Sequence, residues 1–291
     1  TLDKRDNSTW TLSGNSNSLA SSVTQWNIQQ GTLRTTNGTT LKGNMDVQQG
    51  ASLQLGNTGI VGNLVNNGTL QLGHVNSARP FVYVTGDFTQ GSNGVYQIAA
   101  ESDDSEGGYS RMSVSGNVTL AGSAVVDVAQ VNRLAIGQSL GGVVQAGGTL
   151  NGNFSEVTDN SALFDFKSVA TTGASGKVDF QVVQSKSIVD IIDPPTPGDD
   201  GDEPAIRSDK PSRGAAQALD TIIGRGTQHA GMQQVVTSLG KLSTGQQVSD
   251  AVSQTVPLLA GGSQAAAGAA ISAIMAKNAT QSPCGRNTTG R

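Results

Sequence analysis

The chain has 291 residues, 38 of them glycine, with only 4% aromatic and 14% charged residues. That is thin material for a compact α/β enzyme, whose doubly buried parallel strands need long aliphatic runs, and it suits a narrow core made by stacking. A formal charge of -4 with a pI near 5.1, and no basic cluster on any predicted element, exclude a nucleic-acid surface that must neutralise phosphates.

Residues 9 to about 185 read as short strands between Gly, Asn, Ser and Asp turns. Thr9-Trp10-Thr11-Leu12, Gln25-Trp26-Asn27-Ile28 and Thr32-Leu33 open the array, and Ile28-Gln29-Gln30-Gly31 returns as Val47-Gln48-Gln49-Gly50. A degenerate repeat follows, in which a Gly-Asn/Asp-apolar triplet precedes a second glycine and an alternating strand. It runs Gly43-Asn44-Met45 then Gly50 and Ser52-Leu53-Gln54-Leu55, and Gly62-Asn63-Leu64 then Gly68 and Thr69-Leu70-Gln71-Leu72. It continues as Gly86-Asp87-Phe88 then Gly94 and Val95-Tyr96-Gln97-Ile98, and Gly116-Asn117-Val118 then Gly122 and Ala124-Val125-Val126-Asp127-Val128.

The triplets are spaced 19, 24 and 30 residues apart. A unit of that length cannot bury its apolar face alone, so the pattern predicts a stacked solenoid with loops inserted on one face. One insertion is the acidic Glu101-Ser102-Asp103-Asp104-Ser105-Glu106-Gly107-Gly108. Three strands per coil predict about seven or eight coils at about 4.8 Å per rung, with strand edges at the ends that need covering.

From 140 to 184 the tight repeat gives way to longer strands around Val143-Val144, Leu163 to Lys167 and Val178 to Val183. Phe164, Phe166 and Phe180, three of the six phenylalanines, fall here and predict the thickest core, a cap over 80–189 that ends a stem over 1–189. Asp193-Pro194-Pro195-Thr196-Pro197 and the acidic run to Pro204 cannot continue a sheet, so 190–213 reads as a linker.

Beyond the linker the apolar period changes to 3.6, predicting helices across 214–280. Leu219, Ile222 and Ile223 share one face, as do Met232, Val235, Val236 and Leu239, and Ser243 to Gln246 has capping-box spacing ahead of Val248, Ala251 and Val252. Gly262 to Ala276 is a last, Ala/Gly-rich helical stretch, and 281–291 is expected to be a disordered tail. Val256 to Ala276 is uncharged, but its Ala/Gly content transfers poorly into lipid, so it is not read as a membrane span.

No catalytic, cofactor or metal site is expected. His74 and His229 fall in different predicted domains without metal-ligand spacing, and there is no Gly-x-Ser-x-Gly elbow. Asp103-Asp104 with Glu106, and Asp199-Asp200 with Asp202, match no calcium-loop spacing and read as solvated loop and linker. Cys284 is the only cysteine, so no intrachain disulfide forms. Thr1-Leu2-Asp3-Lys4 lacks the basic and then apolar start of a signal peptide, and the chain reads as a fragment of a longer precursor.

In order along the chain, Trp10-Thr11-Leu12-Ser13-Gly14-Asn15-Ser16, Gly86-Asp87-Phe88 through Ile98, Tyr109-Ser110-Arg111-Met112 through Gly116, and Gly152-Asn153-Phe154 resemble a bacterial autotransporter. The stretches Ala215 to Asp220, Gln247 to Val252 and Val256 to Leu259 resemble that family's segment before its membrane barrel. The resemblance implies an all-β, right-handed parallel β-helix passenger followed by a linker and a small α-helical C-terminal segment, with 80–189 as an autochaperone-like end. It implies the outer-membrane barrel of the same precursor as partner, and a bacterial cell-surface or secreted location. It further implies a non-enzymatic role in secretion and folding, with adhesion to a host surface or self-association. A second expectation is the stalk of an autotransporter protease or esterase whose catalytic domain lies upstream. A third is a trimeric, polysaccharide-binding tail protein. The family continues into a barrel where this sequence ends at Arg291.

Overall fold

The computed structural model describes residues 1–13, 23–73, 79–129, 134–184, 187–193, 212–225, 230–240, 242 and 244–260. The chain falls into two compact units, Thr1–Asn160 with Phe164–Val183, and Ser161–Leu163 with Gln184–Arg291.

The first unit is built from strands β1 (Leu2–Lys4), β2 (Thr9–Leu12), β3 (Gln25–Ile28), β4 (Thr32–Thr35), β5 (Thr39–Lys42), β6 (Asn44–Val47), β7 (Ser52–Leu55) and β8 (Thr58–Val61). It continues through β9 (Leu64–Asn66), β10 (Thr69–Leu72), β11 (Phe81–Val84), β12 (Phe88–Gln90), β13 (Val95–Ala100), β14 (Arg111–Val114), β15 (Val118–Leu120) and β16 (Ser123–Val128). It ends with β17 (Ser139–Ala146), β18 (Thr149–Gly152), β19 (Glu156–Asp159), β20 (Phe164–Thr171), β21 (Gly173–Ala174) and β22 (Lys177–Gln184).

The alternation read from the sequence sets the burial. In β7, Leu53 and Leu55 are fully buried while Ser52 and Gln54 are half-buried, because successive Cβ atoms of a strand point to opposite faces. The strands form three mostly parallel sheets, ordered β1-β3-β6-β9-β12-β15-β18-β21, β2-β4-β7-β10-β13-β16-β19 and β5-β8-β11-β14-β17-β22-β20. From β3 to β14 each strand pairs with the strand three positions later, so the chain visits the three sheets in turn. This arrangement is consistent with a β-helix-like solenoid.

In-register parallel pairing stacks like positions into columns. Trp26, Met45, Leu64, Phe88, Val118 and Leu150 make one buried column, and Leu41, Ile60, Val84, Val114 and Ala146 another. The pattern changes at the C-terminal end, where β17 pairs antiparallel with β22 and β18 antiparallel with β21. A fully parallel stack is therefore corrected for the long strands beyond 140: β22 runs back along β17, and β20 follows it at the edge of that sheet.

The second unit contains helices α1 (Ile188–Ile192), α2 (Ser212–Arg225), α3 (Ala230–Gly240) and α4 (Gly245–Ala260). The stem boundary drawn at 189 falls inside α1. Asp220 of α2 accepts from the N–H groups of Ile188 at 2.6 Å and Val189 at 3.1 Å, capping the start of α1. Leu219, Ile223, Val236, Leu239, Val248 and Val252 are buried, as their spacing predicts, whereas Ile222, Met232 and Val235 are half-buried. The capping box at α4 is made one residue later than predicted. Thr244 Oγ1 accepts from Gln247 N–H, and Gln247 Oε1 from Thr244 N–H, both at 3.3 Å. Among the described residues no helix is long and apolar enough to cross a membrane. Most of the linker 190–213, the stretch Gly262 to Ala276 and the tail 281–291 lie outside the described residues.

Candidate functional site

The Gly-Asn/Asp triplets lead into β6, β9, β12 and β15, their apolar residue already within the strand, at one corner of successive rungs. There the side chain of one rung holds the backbone of the next. Asn63 N–H donates to Asn44 Oδ1 at 2.9 Å, Asp87 N–H to Asn63 Oδ1 at 2.9 Å, and Asn117 N–H to Asp87 Oδ1 at 2.7 Å. Only an acceptor oxygen is used, which is why aspartate serves as well as asparagine. A backbone ladder runs beside it, from Gly86 N–H to the Gly62 carbonyl at 3.0 Å, Gly116 to Gly86 at 3.1 Å and Gly148 to Gly116 at 2.9 Å.

The glycines follow from this packing. A Cβ on Gly86 would lie 2.2 Å from Asn63 Oδ1, and one on Gly116 2.2 Å from Asp87 Oδ1. One on Gly62 would stand 2.5 Å from the Gly43 carbonyl oxygen, and one on Gly43 2.6 Å from that of Val23. At Gly86 and Gly116 the two residue types of the motif are thus one device, the side-chain oxygen of Asn63 or Asp87 filling the space that the glycine of the next rung leaves, whereas Gly43 and Gly62 make room for backbone carbonyls. The ladder ends at Thr149, whose N–H still donates to Asn117 Oδ1 at 3.0 Å but whose side chain carries no carboxamide. It stands in β18, where antiparallel pairing begins.

The second glycines precede β7, β10, β13 and β16 for mixed reasons. Gly50 has open space around it but a φ of +84°, a left-handed turn that glycine adopts at no steric cost. A Cβ on Gly68, Gly94 or Gly122 would lie 2.3, 2.6 or 2.4 Å from the carbonyl oxygens of Gln48, Asn66 and Gly94 respectively. Beneath this corner the fully buried Asn66 donates to Gln90 Oε1 at 2.8 Å, a polar pair inside the core.

Phe164, Phe166 and Phe180 are all buried. Phe180 packs edge-on against Phe154 at 5.8 Å, Phe154 stacks on Tyr96 at 5.4 Å, and Tyr96 meets Phe88 at 6.4 Å. The interior aromatic run therefore reaches back from the cap to the middle of the array. Tyr96 directs its hydroxyl to the Val143 carbonyl at 2.9 Å, and complete burial pushes that phenol well above its ordinary pKa.

His74, His229, Cys284 and Asp199-Asp200-Asp202 lie outside the described residues. Among the described residues no group of three or more His, Cys, Asp or Glu could hold a metal ion. In the acidic insertion, Glu101 pairs with Arg79 at 2.6 Å, and Asp104 Oδ1 accepts from Glu106 N–H at 2.9 Å.

That insertion also borders a cleft of about 440 Å³ that the sequence pattern does not announce. Its floor comes from the outer face of the third sheet. The Arg111 guanidinium lies over two rings, 5.5 Å from the centre of Phe81 and 5.8 Å from that of Tyr109. Tyr109 is fixed by a 2.7 Å hydrogen bond from its hydroxyl to the Gly141 carbonyl, and burial raises its pKa. Phe81 is half exposed, and its N–H donates to Asn57 Oδ1 at 2.8 Å. Glu106 and Arg79 complete the lining, and Arg79 Nε is buried without a hydrogen-bond partner.

Compared with known protein families, curated proteins and solved structures, the chain matches none.

Proposed function

We propose that this chain is the stem of a surface-exposed or secreted autotransporter-like passenger, a right-handed parallel β-helix that acts without catalysis. In this reading it supports passage through the outer membrane and folding beyond it, and serves adhesion or self-association. Its partner in export is the outer-membrane barrel of its own precursor. The observation that carries the reading is the directional array, a parallel stack of three-strand rungs that ends in an antiparallel, aromatic closure on the C-terminal side. Parallel crossovers within one sheet are right-handed in nearly every known case, which gives the handedness.

The mechanism follows from that polarity. A segment emerging C-terminus first would form the closure before any other rung, and each later rung would find a preformed edge whose corner N–H groups are in place to donate to its own Asn or Asp Oδ1 and glycine carbonyl. Nucleation is the costly step of such a one-dimensional array, and propagation onto an existing edge is favourable. Folding outside the membrane would then oppose backsliding.

The test is to express the chain ahead of an outer-membrane β-barrel in a Gram-negative bacterium and score surface exposure by protease shaving. Deleting 86–128, or replacing Phe180 by Ala, is expected to reduce export and protease resistance of the remaining stem. Unchanged export with both changes would overturn the reading. For adhesion, the purified chain should inhibit aggregation of cells that display it, and no inhibition across the soluble range would remove that part.

A further inference from the structure

The cleft beside the acidic insertion carries chemistry that the strand array does not need. The Arg111 guanidinium lies over the Phe81 and Tyr109 rings, and its side chain makes no hydrogen bond or ion pair to any described residue, which leaves its N–H groups for a ligand. A structural arginine on a sheet face would normally meet a carboxylate across the strands. Here the neighbouring partners in register are Phe81 on one side and the 139–146 strand on the other.

The donors in the cleft outnumber what the protein uses. The Arg111 edge and the Asn57 amide, whose oxygen already accepts from Phe81 N–H, call for a ligand rich in acceptors. A carboxylate fits the arginine fork bidentately. The half-exposed Phe81 ring adds an apolar floor, and the Glu106 carboxylate can only accept, so it calls for ligand hydroxyls. A bare inorganic anion would use neither Phe81 nor Glu106. The volume, about 440 Å³, is that of a small-molecule site and takes one or two sugar rings.

We propose that the cleft formed by Asn57, Arg79, Phe81, Glu106, Tyr109 and Arg111 binds acidic saccharides, a carboxylated pyranose lying with its apolar face on Phe81 and its carboxylate on Arg111. The site needs only the folded strand array, so it stands whether or not the chain is exported.

Isothermal titration of the full chain with trigalacturonate tests it, with maltotriose and inorganic sulfate as comparison ligands. Trigalacturonate is expected to bind with a Kd on the order of 0.1–1 mM and to weaken as ionic strength rises. Arg111→Gln and Phe81→Ala should each weaken binding by about tenfold or more, the first by removing a charge-assisted bidentate pair. Arg111→Lys should fall between wild type and Arg111→Gln. Tyr83→Ala, which alters an exposed ring on the same strand outside the cleft lining, should bind as wild type. Far-UV circular dichroism of each variant reports that the fold is kept. No binding at about 10 mM trigalacturonate, equal affinity for maltotriose, or displacement by sulfate together with an unchanged Phe81→Ala variant would each overturn the proposal.

Discussion

At the N-terminal end of the strand array a core position is held by a lysine, whereas at the C-terminal end the interior is filled by packed aromatic rings. Lys4 is fully buried in the column that continues through Ile28 and Val47. Its ammonium donates to the Asp6 carbonyl at 2.7 Å, to Asp6 Oδ1 at 2.9 Å and to the Gln30 carbonyl at 3.1 Å, and lies 5.2 Å from the centre of the Trp10 ring. A buried charge satisfied in this way is tolerated, and it adds little net stability beyond what an apolar side chain would give. At the other end Phe154, Phe164 and Phe180 bury large apolar surfaces, and β22 covers β17 with an antiparallel ladder. The C-terminal end should therefore be the last part of the array to open, and amides of β1 and β2 should exchange with solvent before those of β17 and β22.

Phe180→Ala should break the contrast most strongly. The side chain is fully buried against Phe154, so its loss is expected to cost about 3–5 kcal/mol in chemical denaturation. It should bring exchange at β17 and β22 down to that of the N-terminal rungs. Gly86→Ala attacks the middle, where the new Cβ would lie 2.2 Å from Asn63 Oδ1 and 2.6 Å from the Gly62 carbonyl oxygen. Crowding of this kind costs about 1–3 kcal/mol. It should uncouple the two ends, so that thermal melting splits into two transitions. Asn63→Ala removes only the acceptor of Asp87 N–H and should cost about 1 kcal/mol, while Asn63→Asp keeps the acceptor and should cost less.

The smallest effect belongs to the N-terminal end and is read by acid. Hydrogen bonds from Ser8 and Lys4 hold the Asp6 carboxyl down at about 2 from 3.8. A folded pKa below the unfolded one contributes stability that is complete above about 4 and is lost as pH falls toward about 2. Asp3 is shifted the same way, led by a hydrogen bond from Asn27. Asp127, nearer the other end, moves oppositely because desolvation raises it, so its protonation relieves a cost as pH falls. Acid should therefore loosen the N-terminal rungs first, and Asp6→Asn should flatten that pH dependence in exchange measurements between about pH 4 and 2.

Much of the array was legible because its signals are local. Leu53 and Leu55 betray their burial through alternation with Ser52 and Gln54, and the glycine of each triplet stands next to the side-chain oxygen, of Asn or Asp, that serves the following rung. The capping box at α4 was displaced by one residue, since Ser243 and Thr244 offer the same hydroxyl chemistry and only the path of the chain selects Thr244. The cleft was illegible. Phe81 and Arg111 stand 30 residues apart and meet only because β11 and β14 pair in that register. Glu101 reads as one more acid in a loop until Arg79 is found beside it.

The sequence by itself determined the rung: period-two burial, the Gly-Asn corner, and the change to a helical period after the Pro/Asp-rich run. Each depends on neighbours within a few residues, so composition and spacing encode it. The tertiary structure alone decided how the array ends, by turning β22 antiparallel onto β17 and stacking Tyr96, Phe154 and Phe180 across 84 residues of chain. It also decided which side chains share the cleft. Those contacts depend on loop lengths and on register summed over several rungs, and no local pattern carries that sum.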